Sequence, residues 1–343
     1  MLRLLPTLLL LAAFGGGAAH AGVFRPKVVV LAAFEIGEDT GDRPGEFQFW
    51  VERLGLTNSL MVPGVDRPLR YSSGEVLAGV IGATGRAGLQ LMALGLDPRF
   101  DFRRTYWLTA GIAGVDPENA SVGSAAWARW VVDGGIAYEI DSREAPADWP
   151  YGLVPIGGKR PNEIAKDAAW APKPMAWRLN PGLVNWAYEL TRDAVIPETD
   201  AARAHRARFT NSPAGAAPPR VLLGESLGSD RYWHGAAMTR WANDWTRLHT
   251  GGEGDFVMTN MEDHALAAAL DRLAGLGKVD FQRVLFLRTG SNYCGPHPGQ
   301  TSAESMTEEY SGMEPALEAA YLTGSRVVKE LIEGWDRHSV QTP

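Results

Sequence analysis

The chain reads as an α/β protein with a mainly parallel sheet covered by helices, and three observations carry that reading. Apolar, partly β-branched runs at Lys27 to Ala33, Thr105 to Thr109 and Val284 to Arg288 lack the polar alternation of half-exposed strands, as expected of strands covered on both faces. Helical patterns over Gly85–Leu96 and from Met261 to about Leu276 lie between such runs, giving the strand–helix–strand order of parallel sheets. Glycines or small polar residues stand at three strand ends, Thr109 to Gly114, Met261-Glu262 and Ser291-Asn292, where open α/β sheets take their ligands.

In chain order, Arg3, the apolar Leu4 to Phe14 and Ala19-His20-Ala21 have the basic, apolar and small-x-small parts of a secretory signal peptide over residues 1–21. Its apolar core is shorter than the about 20 residues that span a bilayer. The expectation is an exported chain, periplasmic or extracellular, cut after Ala21 and without membrane insertion. The first strand, Lys27 to Ala33, feeds a loop from Phe34 to Gly45 that holds Glu35, Glu38, Asp39 and Asp42. Acids at a strand's C-terminal end are candidates for catalysis, and Glu35 and Glu38 are the ones singled out.

Phe47 to Leu54 predicts a helix, and Leu69 to Gly82 two short strands around Ser73-Gly74. A glycine turn, Gly82-Ala83-Thr84-Gly85, opens the Gly85–Leu96 helix, whose free amides suit a polar ligand, so Thr84 and Gly85 join the candidates. The strand of Thr105 to Thr109 then breaks into Ala110-Gly111-Ile112-Ala113-Gly114, read as a glycine turn where a sugar or anion approaches the backbone. Ala125 to Tyr138 continues the sheet. Prolines and tryptophans crowd residues 146–181, predicting an irregular insertion within one domain spanning 22–343. Asn185 to Ala194 and Asp200 to Phe209 are helical in pattern. Strands follow at Val221–Gly224 and Phe256–Thr259, with Asn260 placed to cap the next helix, and Met313 to Ile332 is the closing helix.

A net charge of −7 argues against a nucleic-acid backbone as partner, and 45% apolar residues in 343 allow a large core. The single cysteine, Cys294, excludes an internal disulfide. Gly224-x-Ser226-x-Gly228 has the spacing of a hydrolase nucleophile elbow, with Asp255 or Asp280 and His297 in the right order, yet a loop rather than a helix follows the serine. Glu262, Asp263 and His264 sit too close in sequence to share a helical face as metal ligands, so neither a metal nor a cofactor is expected. His264 is a packed histidine or a ligand contact.

Three stretches bear on function together: the Gly-x-Ala-Gly segment Gly111 to Gly114, the Met261-Glu262 pair opening an alanine-rich helix, and Ser291-Asn292. In that order they resemble the nucleoside phosphorylase and nucleosidase superfamily. The longer texts FEIGEDTGDRPGEFQFW, LTAGIAGVDPENASVGSAAWARWVVDG, DRYWHG and NMEDHA resemble the purine nucleoside permease family over nearly the whole chain after residue 21. The resemblance implies a single three-layer α/β domain with a mixed, mainly parallel central sheet, binding purine nucleosides.

It further implies that Glu262 accepts from the ribose hydroxyls, that Asn292 bonds the purine near N7, and that Tyr232 or Trp233 stacks on the base. Thr109, Gly111, Ala113, Gly114, Met261, His264 and Ser291 would complete the binding set. Asn292 stands where many relatives have a proton-delivering aspartate. Thr109 and Ile112 stand where phosphate-using relatives have arginine and serine, so hydrolysis with water activated by Glu35 or Glu38 is expected over phosphorolysis. The alternative from another class is a non-catalytic carrier handing intact nucleoside to a separate membrane transporter. A homo-oligomer is compatible with either.

Overall fold

The computed structural model describes residues 23–164 and 171–343. The expected signal peptide lies outside the described residues, as does part of the Pro/Trp-rich insertion.

Strand β1 (Val28–Ala32) is buried at every position, which explains its unbroken apolar text. Helix α1 (Gln48–Arg53) follows the acidic loop. Strands β2 (Asn58–Leu60), β3 (Leu69–Tyr71) and β4 (Val76–Val80) lead to α2 (Gly85–Leu96). The central strand β5 covers Tyr106–Val115 and so runs straight through the expected glycine turn. Gly111 sits in that strand because a Cβ there would come within 2.6 Å of Arg288 Nη1 and would also meet the Glu46 carboxylate. Its role is close approach, not reversal.

Strands β6 (Ala125–Trp127), β7 (Trp130–Asp133) and the small pair β8 (Tyr138–Glu139) with β9 (Leu153–Val154) come next. The insertion is less irregular than its prolines suggest: β10 (Ala176–Arg178) pairs antiparallel with β7 and forms a sheet edge. In α3 (Pro181–Thr191), Asn180 caps the amides of Gly182 and Leu183 while Pro181 opens the first turn. Short helices α4 (Asp200–Arg206) and α5 (Pro213–Ala216) are capped by Thr199 and Ser212. The single strand expected at Val221–Gly224 is two, β11 (Val221–Leu223) and β12 (Glu225–Gly228).

Helix α6 (Ala236–His249) has no counterpart in the sequence reading, because its apolar stripe is little more than Trp241, Ala242 and Trp245 on an otherwise polar surface. Strand β13 (Phe256–Asn260) delivers α7 (Asp263–Gly275), which starts two residues later than expected, with Glu262 rather than Asn260 at its N-cap; the Asn260 side chain still accepts from the Glu262 and Asp263 amides. Strand β14 (Val284–Tyr293) extends past the predicted end at Arg288. Helices α8 (Ser302–Thr307), α9 (Met313–Glu333) and α10 (Trp335–His338) complete the chain.

One twelve-stranded sheet runs β10-β7-β12-β13-β5-β1-β4-β3-β2, with β14 on β5 and β6, and β11 on β6. Strands β1, β4, β5 and β14 pair parallel, as do β12 with β7 and β13, whereas β13 meets β5 antiparallel. Helices flank it: α9 lies against β14, β5 and β6 with α1 and α3 beside it, while α7 covers β7 and β12 and carries α2. The mixed, mainly parallel sheet flanked by helices is therefore the architecture. Among the described residues, no helix is long and apolar enough to cross a membrane.

Strand β5 places the site. Its first half pairs with β1, from Val28 opposite Tyr106 to Leu31 opposite Thr109, and its far end pairs with β13 at Gly114 and Val115. Between the two partners the sheet parts, and the ends of β1, β4, β13 and β14 face one gap.

Candidate functional site

A cavity of about 240 Å³ opens there, lined by the chain just after β1 (Ala33, Phe34), Ala83 after β4, and Ile112 to Gly114 of β5. Thr259 to Glu262, Ser291-Asn292, Glu46, Tyr232 and Tyr310 complete the lining. Elements far apart in sequence meet here, including Gly114, Glu262 and Asn292. A bulge in β14 explains why the neighbours Ser291 and Asn292 both line it: the register slips between Gly290 and Asn292, breaking the alternation that would turn one of them away. A larger cleft of about 550 Å³ shares only Tyr310 with this cavity, and its charged residues Arg43, Glu309 and Glu314 are exposed. The smaller cavity has the buried, converging polar groups that a specific ligand requires.

Those groups centre on Arg288, which is 1% exposed. Its guanidinium forks onto Asp263, contacting Oδ1 and Oδ2 through Nε at 3.1 and 3.0 Å and Oδ1 again through Nη2. Nη1 reaches Glu262 Oε1 at 2.7 Å and lies 3.9 Å from Glu46 Oε1. Glu46 is held separately, by the amides of Ala33 at 2.6 Å and Ile112 at 2.7 Å. One cation thus faces the carboxylates of Glu46, Glu262 and Asp263, all nearly buried. Excess negative charge in a dry site favours protonation.

Burial pushes the Glu262 carboxyl up to about 7; Arg288 opposes the rise, and Glu46 and Asp263 add to it. Glu46 is also raised, by burial against the pull of Arg288 and the two amides. On Arg288 burial works downward, but Asp263 and Glu262 outweigh it and hold the cation above its ordinary value. Near neutral pH Glu262 is therefore partly protonated in the folded chain, and it releases that proton on unfolding.

That proton has a thermodynamic signature. Glu262 rises from 4.5 to about 7 on folding, so in that window the native state binds more protons than the unfolded one, and stability falls as pH rises. The contribution is complete below the unfolded value and gone above the folded one. Urea midpoints followed across this window should decline with pH in the native protein, and Glu262→Gln should flatten the decline. Parallel slopes would mean that the Glu262 carboxyl is not raised in the folded chain.

The remaining expected residues divide. Ala113, Gly114, Tyr232, Met261, Glu262, Ser291 and Asn292 line the cavity. Glu35 does not: its carboxylate accepts from the amides of Ile36, Gly45, Phe47 and Gln48, which caps α1 from outside the helix. Glu38 is exposed in the same loop. The acid of this segment that reaches the cavity is Glu46, one residue past the stretch read as acidic loop. Its signal was its place directly before the buried Phe47 and Gln48.

Trp233 packs in the core against Trp241 and Phe256, so of the two expected aromatics Tyr232 is the one that lines the cavity. Thr109 is buried in β5 away from the lining, and Gly111 contributes only the space that Arg288 and Glu46 fill. Thr84 and Gly85 stand beside the cavity rather than in its wall: the Gly85 amide donates to Asp230 Oδ1 at 2.7 Å, and His264 Nε2 lies 3.2 Å from the same oxygen. Ser226 is buried in β12, donating to Asp263 Oδ2 at 2.6 Å and accepting from Asn260. His297 instead contacts the Pro298 carbonyl, so the elbow spacing assembles no triad. Arg288 escaped the sequence reading, although a lone cation ending an apolar run signals a buried partner.

Known proteins resemble the chain in sequence and in fold. The family model described as purine nucleoside permease (NUP) matches residues 25–343. A purine nucleoside permease of Candida albicans is 24% identical over 324 residues, covering 92% of this chain and 77% of that one. A probable purine nucleoside permease of Schizosaccharomyces pombe is 26% identical over 328 residues, covering 91% of each. In fold, the chain is similar to a futalosine hydrolase of Helicobacter pylori (TM-score 0.54, 13% identity, 90% of this chain and 98% of that one). It is likewise similar to a 5′-methylthioadenosine/S-adenosylhomocysteine nucleosidase of Neisseria meningitidis (TM-score 0.51, 13% identity, 88% and 98%). With the match running from residue 25 to the last residue, the chain belongs to the purine nucleoside permease family.

Proposed function

We propose that this protein binds purine nucleosides in the β5 cavity and splits their N-glycosidic bond with water, supporting uptake of the products after export. The observation that carries the reading is the polarity of the cavity: carboxylates gathered on Arg288 at one end, and Asn292 with Tyr232 and no carboxylate at the other. Glycosidic cleavage needs such a division, because the sugar becomes cationic as the base leaves with the electron pair. Glu262 accepts from the ribose hydroxyls. Glu46, anchored by two amides and raised by burial, takes a proton from water as the water oxygen bonds the anomeric carbon. The bond to the base nitrogen breaks, and the base is reprotonated from solvent, since the Asn292 amide has no acidic proton to give. The names of the permease relatives supply the purine nucleoside, and the nucleosidase-like fold is consistent with the reaction.

One observation favours a second reading, a carrier that delivers intact nucleoside to a separate membrane transporter: an amide occupies the base end, where leaving-group protonation would be wanted. Chromatography of purified protein incubated with inosine, adenosine and guanosine, with and without phosphate, separates the two. Hydrolysis predicts free base and ribose in phosphate-free buffer. Glu46→Gln should then lower release at least about 100-fold, in the range of general-base catalysis, while nucleoside binding persists. Saturable binding with no free base in either buffer selects the carrier.

A further inference from the structure

At the base end of the cavity the hydrogen bonds are almost fully spent. The side-chain oxygen of Asn292 accepts from Ser291 Oγ at 3.0 Å, while its amide nitrogen donates to the Tyr293 carbonyl at 3.1 Å and to the Tyr232 hydroxyl at 3.3 Å. Tyr310 donates to the same Tyr232 oxygen at 3.0 Å. Tyr232 therefore accepts twice, and its own hydrogen is left over. A phenol has one hydrogen to give, and with its oxygen occupied it offers a ligand a donor and little accepting capacity.

We propose that the Tyr232 hydroxyl, held by Asn292 and Tyr310, reads the six-position of the purine and selects 6-oxopurine over 6-aminopurine nucleosides. The inference rests on the nucleoside-binding reading and names the substrate class within it. On the edge of a purine that includes N7, a 6-oxopurine presents two neighbouring acceptors, N7 and O6, whereas a 6-aminopurine presents an acceptor beside an N–H donor. Asn292 spends both amide hydrogens on Tyr293 and Tyr232, so the donor offered to O6 is the Tyr232 hydroxyl. The amino group would need an acceptor, and the Tyr232 oxygen already accepts from Asn292 and Tyr310. Burial raises the Tyr232 hydroxyl above its ordinary range, so the donor keeps its hydrogen at working pH. A site built to satisfy a polar group discriminates by leaving the wrong partner unpaired.

Calorimetric titration of the full chain with inosine and adenosine tests this, using the native protein, Tyr232→Phe and Tyr310→Phe, with circular dichroism to confirm folding. The native protein should bind inosine at least about tenfold more tightly. Tyr232→Phe keeps the ring but removes the donor, and should weaken inosine about tenfold with little change for adenosine. Tyr310→Phe frees accepting capacity on Tyr232 and should narrow the preference by strengthening adenosine; a merely structural role would weaken both ligands alike. Saturable binding with an inosine-to-adenosine ratio unaltered by Tyr232→Phe, or with adenosine preferred by the native protein, overturns the inference while leaving nucleoside binding intact. No saturable binding of either nucleoside to the native protein overturns the functional reading and this inference with it.

Discussion

Replacing Arg288 with methionine should lower the stability of the fold by about 3–5 kcal/mol, the loss typical of removing one partner from a buried ion pair. The residue is 1% exposed, and around it Asp263, Glu262 and Glu46 are 0%, 4% and 6% exposed. Methionine fills much of the volume but leaves those carboxylates without their cation. They must then take up protons or repel one another, so the deficit should be larger at alkaline than at mildly acidic pH. Lysine should restore part of the loss: it returns the charge without the planar fork that contacts Asp263 through Nε and Nη2. Urea unfolding of the three proteins at two pH values measures each term. A deficit below about 1 kcal/mol for methionine, as for an exposed pair, would mean that the cluster is solvated and that the carboxylates are not held at the cavity by Arg288.

Glu262→Ala should weaken binding of a purine ribonucleoside by roughly 10- to 150-fold, the equivalent of the about 1.5–3 kcal/mol carried by hydrogen bonds to a charged group. The fold should tolerate this change, because Arg288 keeps its fork on Asp263, and the lost carboxylate relieves part of the excess negative charge. The matching 2′-deoxyribonucleoside should lose less, since it lacks one hydroxyl for Glu262 to accept from. Calorimetry with inosine and 2′-deoxyinosine provides the comparison. Equal affinities for native and variant protein would place the ribose elsewhere.

How much of this was legible beforehand follows from the range of the forces involved. Strand β1, helix α2 and the closing helix α9 were read nearly to the residue, because their apolar patterns answer to burial along one continuous segment. The Met261-Glu262 and Ser291-Asn292 pairs were also found, each standing at the end of such a segment. Helix α6 was missed because its buried stripe is narrow and the segment as a whole is polar. Strand β5 was cut short at its glycines, since the crowding by Glu46 and Arg288 that requires Gly111 comes from other parts of the chain.

The choice among acids shows the same division more sharply. From Glu35 to Glu46 the chain offers several carboxylates of equal chemistry, and nothing local distinguishes a helix cap from a cavity wall. The decision belongs to what each meets in space: four backbone amides for Glu35, and Ala33, Ile112 and Arg288 for Glu46. The amino-acid sequence by itself determined the α/β class, the family and the two polar strand ends, because periodicity and family texts are written along the chain. Only the tertiary structure decided that one buried guanidinium gathers the carboxylates and that Tyr232, not Trp233, lines the β5 cavity. Desolvation and pairing depend on neighbours that the chain brings together only by folding.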